Sequence, residues 1–234
     1  MTTRKSLQCQ LILGSIIFSG CLTFVHTPAY PEAYIAGQLG VSIPQSLSSV
    51  EVTSQGVPGG TTFSDLDLRN SFLFGAKVGA FSRTIRWFGV EAEVFHTTPH
   101  IVQKLIVVKT PFGAAQTVFQ GLNFRMITLA PLNLVFRYPG KRLQPYVAIG
   151  PGVFWARLND AQTGDSQSSV KLGFNSQLGL RYFVNRHVAL FGEYKFNYVR
   201  LDFKETDVGQ PTGLDGFDAT YSANIFVFGV GYHF

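Results

Sequence analysis

The sequence predicts an all-β protein, an eight-stranded antiparallel up-and-down transmembrane β-barrel with long extracellular loops and short periplasmic turns. Eight segments alternate apolar and polar residues, as a strand with one apolar face does. Short and long connections alternate between these segments, which is the layout of a membrane barrel. Only 14% of the residues are charged, which is little for a soluble surface, whereas the 22 Phe and 9 Tyr residues suit strands and membrane interfaces.

Residues 1–29 are predicted to be a secretory signal peptide, which leaves residues 30–234 as the barrel domain. Arg4 and Lys5 precede an apolar run from Leu11 to Val25, and small residues at positions 27–29 offer a cleavage site. Cleavage there removes Cys9 and Cys21, so no disulfide is expected in the mature chain. Two alternatives are an uncleaved membrane anchor and lipidation of Cys21.

The first four strands are predicted at residues 33–42, 71–81, 87–95 and 126–138. Their apolar faces carry Ile35, Leu39, Val41, Phe72, Phe74, Ala76, Val78, Ala80, Phe88, Val90, Ala92, Val94, Leu132, Leu134, Phe136 and Tyr138. Their opposite faces include Tyr34, Gln38, Ser42, Lys77, Glu91, Glu93, Asn133 and Arg137. In a membrane barrel the apolar faces point to lipid and the polar faces point inward.

The last four strands are predicted at residues 145–155, 173–183, 188–199 and 226–234. Their apolar faces carry Val147, Ile149, Val153, Trp155, Phe174, Leu178, Leu180, Tyr182, Leu190, Tyr194, Phe196, Tyr198, Phe226, Phe228, Val230, Tyr232 and Phe234. Their opposite faces include Tyr146, Ala148, Asn175, Gln177, Gly179, Arg181, Glu193, Lys195, Asn197 and His233. A soluble lipocalin-like barrel also has eight strands, but its apolar faces would point inward.

The connections predict which strand ends lie together. Three are short, at SRTIR from residue 82, PGKRLQ from 139 and VNRH from 184, and the other four are long and rich in Gly, Ser, Thr, Asp and Pro. The short turns therefore gather at one end of the barrel and the long loops at the other. After the signal peptide no apolar run reaches the ~20 residues that a membrane helix needs.

Four stretches carry a family resemblance: FGVEAEVF from residue 88, PYVAIGPGVF from 145, FGEYKFNYV from 191 and GVGYHF from 229. They resemble strands of the small eight-stranded outer-membrane barrels of Gram-negative bacteria, the opacity-protein and outer-membrane-protein-A membrane-domain type. The resemblance implies a monomer in the cell outer membrane, in contact with lipid and lipopolysaccharide. It also implies insertion by the outer-membrane barrel assembly machinery.

The last predicted strand carries the assembly signal that this resemblance implies. Barrels of this kind end in Phe, with further aromatic or apolar residues at alternate positions before it. The corresponding residues here are Phe226, Phe228, Val230, Tyr232 and Phe234.

Seven charged residues fall on the predicted inner faces: Lys77, Glu91, Glu93, Arg137, Arg181, Glu193 and Lys195. Eight strands enclose an interior just wide enough for side chains to fill, so these opposite charges are expected to pair and to block a water path. The alternative is a narrow porin in which these pairs line an ion path.

No catalytic, cofactor or metal site is predicted. His96 and His100 have the spacing of a helical metal pair, but Pro99 and the preceding strand argue against a helix there. From residue 30 onward 17 Lys and Arg face 14 Asp and Glu, a formal charge of +3 that is too even and too scattered to indicate nucleic acid.

The expected role is structural, or a surface interaction made through the long extracellular loops. One alternative is a carrier of small hydrophobic solutes that uses the apolar stretch Ile101 to Val108 as its entrance.

A second alternative is a lipid A-modifying enzyme. Lipid A-deacylating barrels carry a His-x-Ser pair on a late strand, because a serine nucleophile needs a nearby base. This chain has Glu193-Tyr194-Lys195-Phe196-Asn197 at the corresponding place, which argues against that enzyme.

Overall fold

A computed structural model describes residues 32–52, 61–119, 121–159, 166–204 and 216–234. The predicted signal peptide, residues 1–29, lies outside these ranges, and so does Cys21. The described residues contain no helix long and apolar enough to cross a membrane.

The described chain forms twelve β-strands. They are β1 (Glu32–Pro44), β2 (Ser48–Val52), β3 (Thr62–Phe63), β4 (Ser71–Phe81), β5 (Phe88–Thr97), β6 (Lys104–Thr110), β7 (Gly113–Phe119), β8 (Asn123–Arg137), β9 (Leu143–Asn159), β10 (Ser166–Phe183), β11 (Val188–Phe203) and β12 (Phe217–His233).

Eight of these strands close into the predicted antiparallel barrel, in the order β1-β4-β5-β8-β9-β10-β11-β12. Closure is made by β1 and β12, whose register runs from Tyr34 opposite His233 to Pro44 opposite Ala223. Because each barrel strand then has two neighbours, no backbone edge is left open to lipid. The short connections lie at one end, the turn end, and the long ones at the other, the loop end.

The predicted inner and outer faces are confirmed by burial. On the outer face Leu39 is 68% exposed, Phe72 83% and Phe228 73%, whereas on the inner face Lys77 is 2% exposed and Lys195 0%. A protein in water would reverse this arrangement, because exposing large apolar side chains while burying lysines is unfavourable. The outer face is therefore suited to lipid.

A β-bulge interrupts β8 at Pro131 and Leu132. The two-residue step from Glu91 to Glu93 on β5 faces a three-residue step from Ala130 to Asn133 on β8. Proline donates no backbone hydrogen bond, so it is tolerated where the ladder is already broken. The bulge returns Asn133 to the inner face.

Four short strands that the sequence did not predict, β2, β3, β6 and β7, form a loop-end sheet that continues the barrel wall. Strand β2 pairs with the first residues of β12, including Phe217 opposite Val52, and β3, β6 and β7 follow in order. The apolar stretch from Ile101 to Val108 therefore leads into β6 of a hairpin. One face of this hairpin packs inward, since Ile106 is 1% exposed.

Candidate functional site

Five charged side chains meet inside the barrel and form what we call the interior charge network: Lys77, Glu91, Glu93, Glu193 and Lys195. Lys77 Nζ lies 3.2 Å from Glu91 Oε1 and 2.5 Å from Glu193 Oε1. Lys195 Nζ contacts Glu93 Oε2 and lies 3.2 Å from Glu193 Oε2. All five side chains are buried, so they depend on one another for charge compensation.

Strand register places these charges at one level of the barrel. Lys77 on β4 is directly opposite Glu93 on β5, and the two side chains lie 4.0 Å apart. Glu193 and Lys195 are alternate residues of β11, so both point inward from the far wall. Charges from β4, β5 and β11 thus meet across the narrow interior of an eight-stranded barrel.

Two tyrosines and three amide side chains complete the carboxylate contacts. The hydroxyl of Tyr34 donates to Glu91 and that of Tyr146 to Glu193. Glu93 accepts from Gln177 Nε2 at 2.6 Å, from Asn175 Nδ2 at 2.9 Å and from Gln38 Nε2 at 3.4 Å. The sequence predicts these five residues on inner faces, but they are uncharged and were not among its predicted site residues. Their position in the strand alternation is the signal that could have found them.

Each tyrosine lies over a glycine of the neighbouring strand. Tyr34 pairs with Gly79, and Tyr146 pairs with Gly179. A Cβ atom at Gly79 would lie 2.6 Å from the Tyr34 ring, and one at Gly179 would lie 2.4 Å from the Tyr146 ring. The two glycines therefore leave the space that lets the rings cross the interior and reach the carboxylates.

We expect Gly179→Ala to destabilise the barrel by about 1–3 kcal/mol, because the new methyl group displaces Tyr146 from Glu193. Urea unfolding of the refolded protein in phospholipid vesicles measures the change. Gly37→Ala is the matched control, since a Cβ atom there has no neighbour within 4 Å. Equal stability of the two variants would contradict the packing role of Gly179.

The two predicted interior arginines lie outside the ion pairs of this network. The guanidinium carbon of Arg181 lies 4.4 Å from the Tyr34 ring centre and 5.2 Å from that of Tyr146, which are cation–π contacts. Arg137 lies at the turn end and pairs with Glu32, with Nη2 at 2.5 Å from Oε2. The expectation that all seven charges pair with one another is therefore corrected. Arg137 thus pairs with a carboxylate at the first residue of β1, which the sequence analysis had not singled out.

The loop-end half of the interior is filled by an apolar plug: Phe124, Phe154, Leu158, Leu201, Phe203 and Tyr221, each 0% exposed. The ring centre of Phe124 lies 6.4 Å from that of Phe203 and 6.1 Å from that of Tyr221. Leu47, Leu66, Ile101 and Ile106 continue the same buried cluster beneath the loop-end sheet. Aromatic rings thus stand between the interior charge network and the loop end.

The first two long connections are tied together at the loop end. Asp67 accepts from Ser46 Oγ at 2.9 Å and from Lys104 Nζ at 2.7 Å. The Lys104 ammonium is the main cause that lowers the pKa of Asp67 below its ordinary value. Backbone bridges join Leu47 with Leu66 and Leu68 with Ile101 in the same region.

The predicted assembly residues and the first of the two histidines lie away from the barrel interior. The predicted assembly residues Phe226, Phe228, Val230, Tyr232 and Phe234 all lie exposed on the outer face. His96 lies on the outer face of β5, tilted against Phe74 with ring centres 5.2 Å apart, and His100 lies beyond the end of that strand. Within the described ranges no group of three or more His, Cys, Asp or Glu residues could hold a metal ion.

Comparison with known proteins agrees with this architecture. The outer membrane protein beta-barrel domain family matches residues 18–234. The structure of OprG from Pseudomonas aeruginosa is similar, with a TM-score of 0.57 and 16% identity over 88% of this chain and 97% of that one. Neisserial surface protein A has a TM-score of 0.54 and 13% identity, over 86% of this chain and 97% of that one. AlkL in lipid bilayers has a TM-score of 0.51 and 16% identity, over 90% of this chain and 94% of that one.

None of the curated proteins compared with this sequence matches it. At identities of 13–16% the solved structures show a shared fold. The family match covers far more than half of the chain, and the closed eight-stranded wall with its apolar outer face is the architecture that the family describes. The chain belongs to the outer membrane protein beta-barrel domain family, whose members span the bacterial outer membrane with their strands.

Proposed function

We propose that this protein is a closed, non-enzymatic barrel that acts through its outer surfaces and its extracellular loop end. The observation that carries the proposal is the filled interior. The interior charge network crosses the barrel on the turn side, and the apolar plug closes it on the loop side. A solute would have to displace both layers, which bury paired charges and aromatic rings.

The loop-end sheet supports a surface-interaction role. Its β6–β7 hairpin packs Ile106 inward, while the cross-strand pair Leu105 and Val118 on the other face is 56% and 54% exposed. Phe112, in the turn of this hairpin, is 89% exposed. Among the described residues, strand β7 pairs only with β6, so its outer edge offers backbone groups to another chain.

A narrow conducting path is the second candidate, because one interior layer keeps unused hydrogen-bonding capacity. Gln38 Oε1, Asn133 Nδ2, Gln177 Oε1 and both amide atoms of Asn197 are buried without a hydrogen-bond partner among the described residues. Buried polar groups of this kind bind water. Asn197 lies two residues nearer the loop end than Lys195, so water at this level would hydrate the side of the interior charge network that faces the loop end.

Planar-bilayer conductance of the refolded full chain tests the proposal. We expect no conductance above that of the lipid alone, and heat-modifiable gel mobility checks that the inserted protein is folded. Reproducible conductance steps that the Lys77→Met and Lys195→Met variants alter would favour the narrow path. Steps that these variants leave unchanged would show that ions bypass the network, which also contradicts a closed barrel.

We also propose that residues 1–29 direct secretion, that the mature chain is a monomer, and that the assembly machinery reads the aromatic row of β12. Phe234 is 73% exposed, its ring lies edge-on to Tyr232, and its backbone N–H donates to Ala33 O at 2.9 Å. These contacts are few, so removing the residue should cost the folded barrel little.

We expect removal of Phe234 to lower outer-membrane yield in cells far more than refolding yield in micelles. Burial of one aromatic ring contributes only about 1.5–3 kcal/mol, and the other strands still close. Val184→Ala is the control, since it also removes exposed apolar surface, 54% exposed, at the turn end. An equal fall of both yields for the chain that lacks Phe234 would mean that the residue acts by packing alone.

A further inference from the structure

Two arginines face each other on the outer surface of the barrel near the loop end. Arg125 on β8 is directly opposite Arg157 on β9, and both side chains are exposed. Cross-strand neighbours have Cβ atoms about 4.5–5.5 Å apart, so like charges in this position repel each other. This pair is therefore unfavourable unless an anion lies between the two guanidinium groups.

No acidic side chain in the described part of the protein balances this pair. Arg157 donates to Asn159 Oδ1 at 3.2 Å and approaches Ser166 Oγ at 3.5 Å, and both of these acceptors are neutral. Arg125 forms no hydrogen bond or ion pair with the described residues. Three other cations near the loop end have acidic partners: Lys104 pairs with Asp67 at 2.7 Å, Lys171 with Asp202 at 3.0 Å and Arg200 with Asp218 at 4.0 Å.

The residues directly below the pair mark its depth in the membrane. Ile127, Trp155 and Val170 are cross-strand neighbours on the outer face, 40%, 54% and 60% exposed. The arginines follow two residues nearer the loop end, a rise of about 7 Å along the strand. Tryptophan is typical of the boundary between the hydrocarbon and the head groups. The guanidinium groups therefore lie at the level of the lipid head groups.

We propose that Arg125 and Arg157 bind the phosphate group of a lipid in the leaflet at the loop end, with the hydrocarbon chains of that lipid against Ile127 and Trp155. A guanidinium group offers two parallel N–H donors to phosphate oxygens, and a phosphate between two arginines cancels their repulsion. Ser168, directly opposite Arg157 on β10, places a hydroxyl beside the same site.

Trp155 serves as the reporter for this site. The chain has two tryptophans, so Trp87→Phe leaves the fluorescence of Trp155 alone. The full chain is refolded into phosphatidylcholine vesicles that contain a small fraction of phosphatidic acid with brominated chains, which quench tryptophan on contact. We expect phosphatidic acid to quench Trp155 more strongly than brominated phosphatidylcholine does at the same mole fraction. Each of the changes Arg125→Gln and Arg157→Gln should lower this preference about fivefold.

Arg200→Gln is the matched control, because it removes an outer-face arginine near the loop end that is paired with Asp218. It should keep the preference for phosphatidic acid, and gel mobility checks that every variant is folded. The proposal is wrong if both glutamine variants keep the preference of the parent, or if Arg200→Gln lowers it equally, which would indicate a general charge effect. Inorganic phosphate that relieves the quenching, where sodium chloride of equal ionic strength does not, would assign the site to a soluble anion and overturn the lipid assignment.

Discussion

Lys77→Met should lower the free energy of unfolding by about 3–5 kcal/mol, because it leaves Glu91 without a lysine partner and Glu193 with Lys195 alone, in a buried site. Lys77 lies 3.2 Å from Glu91 and 2.5 Å from Glu193, and its side chain is 1% exposed. Methionine retains most of the side-chain volume, so the loss reports the charge rather than a cavity. Urea unfolding in phospholipid vesicles, followed by far-ultraviolet circular dichroism, measures it.

Two further variants separate charge compensation from general disruption. Lys171→Met removes a lysine whose partner Asp202 is also solvent-accessible, with side chains 40% and 39% exposed, so we expect a change of at most about 1 kcal/mol. Adding Glu193→Gln to Lys77→Met removes one of the unbalanced carboxylates and should restore part of the loss. If Lys77→Met alone unfolds like the parent protein, the network is well solvated and the closed-barrel proposal is weakened with it.

Phe124→Ala should destabilise the protein by about 3–5 kcal/mol, because it opens a cavity in the apolar plug. The ring is fully buried and lies against Phe203 and Tyr221, which cannot move inward without losing their own contacts. Urea unfolding in phospholipid vesicles, followed by far-ultraviolet circular dichroism, measures this loss. Phe112→Ala, at a position that is 89% exposed, is the control and should change stability by no more than about 0.5 kcal/mol.

The plug variant also distinguishes the two layers of the interior. Since the interior charge network lies nearer the turn end and stays intact, Phe124→Ala should weaken the barrel without making it conduct. A conducting Phe124→Ala variant would mean that the plug alone closes the interior and that the charged layer is permeable. A small loss of stability would mean that the loop-end half of the barrel is loosely packed.

The alternation along the chain was sufficient to predict the barrel, its eight strands and the direction of almost every side chain in them. Side chains of a strand alternate between its two faces, so each strand of the barrel places every second residue toward lipid and the others toward the interior. Leu39 and Phe228 therefore face lipid, whereas their neighbours Gln38 and Val227 face the interior. Local pattern also sufficed for the turns, because three short polar connections can only join neighbouring antiparallel strands.

The sequence did not predict which inner residues meet. Lys77 and Glu193 are 116 positions apart, and their contact depends on barrel closure and on strand register, which no local pattern encodes. Arg137 is a second example, since it pairs with Glu32 on the non-neighbouring strand β1 rather than with the interior charge network. The tyrosines were missed because a phenol becomes a carboxylate partner only where a glycine on the next strand leaves room for its ring.

The loop-end sheet could not be predicted from the local sequence either. Strands β2, β3, β6 and β7 are short and have weak alternation, so their pairing depends on the free edge that the long strand β12 offers beyond β1. From sequence, the apolar stretch near Ile101 fits a solute entrance and a buried strand equally well. In the folded chain Ile106 belongs to the same buried cluster as Leu66 and Leu122. Local sequence reports which face of a strand is apolar, whereas only the folded chain determines what that face contacts.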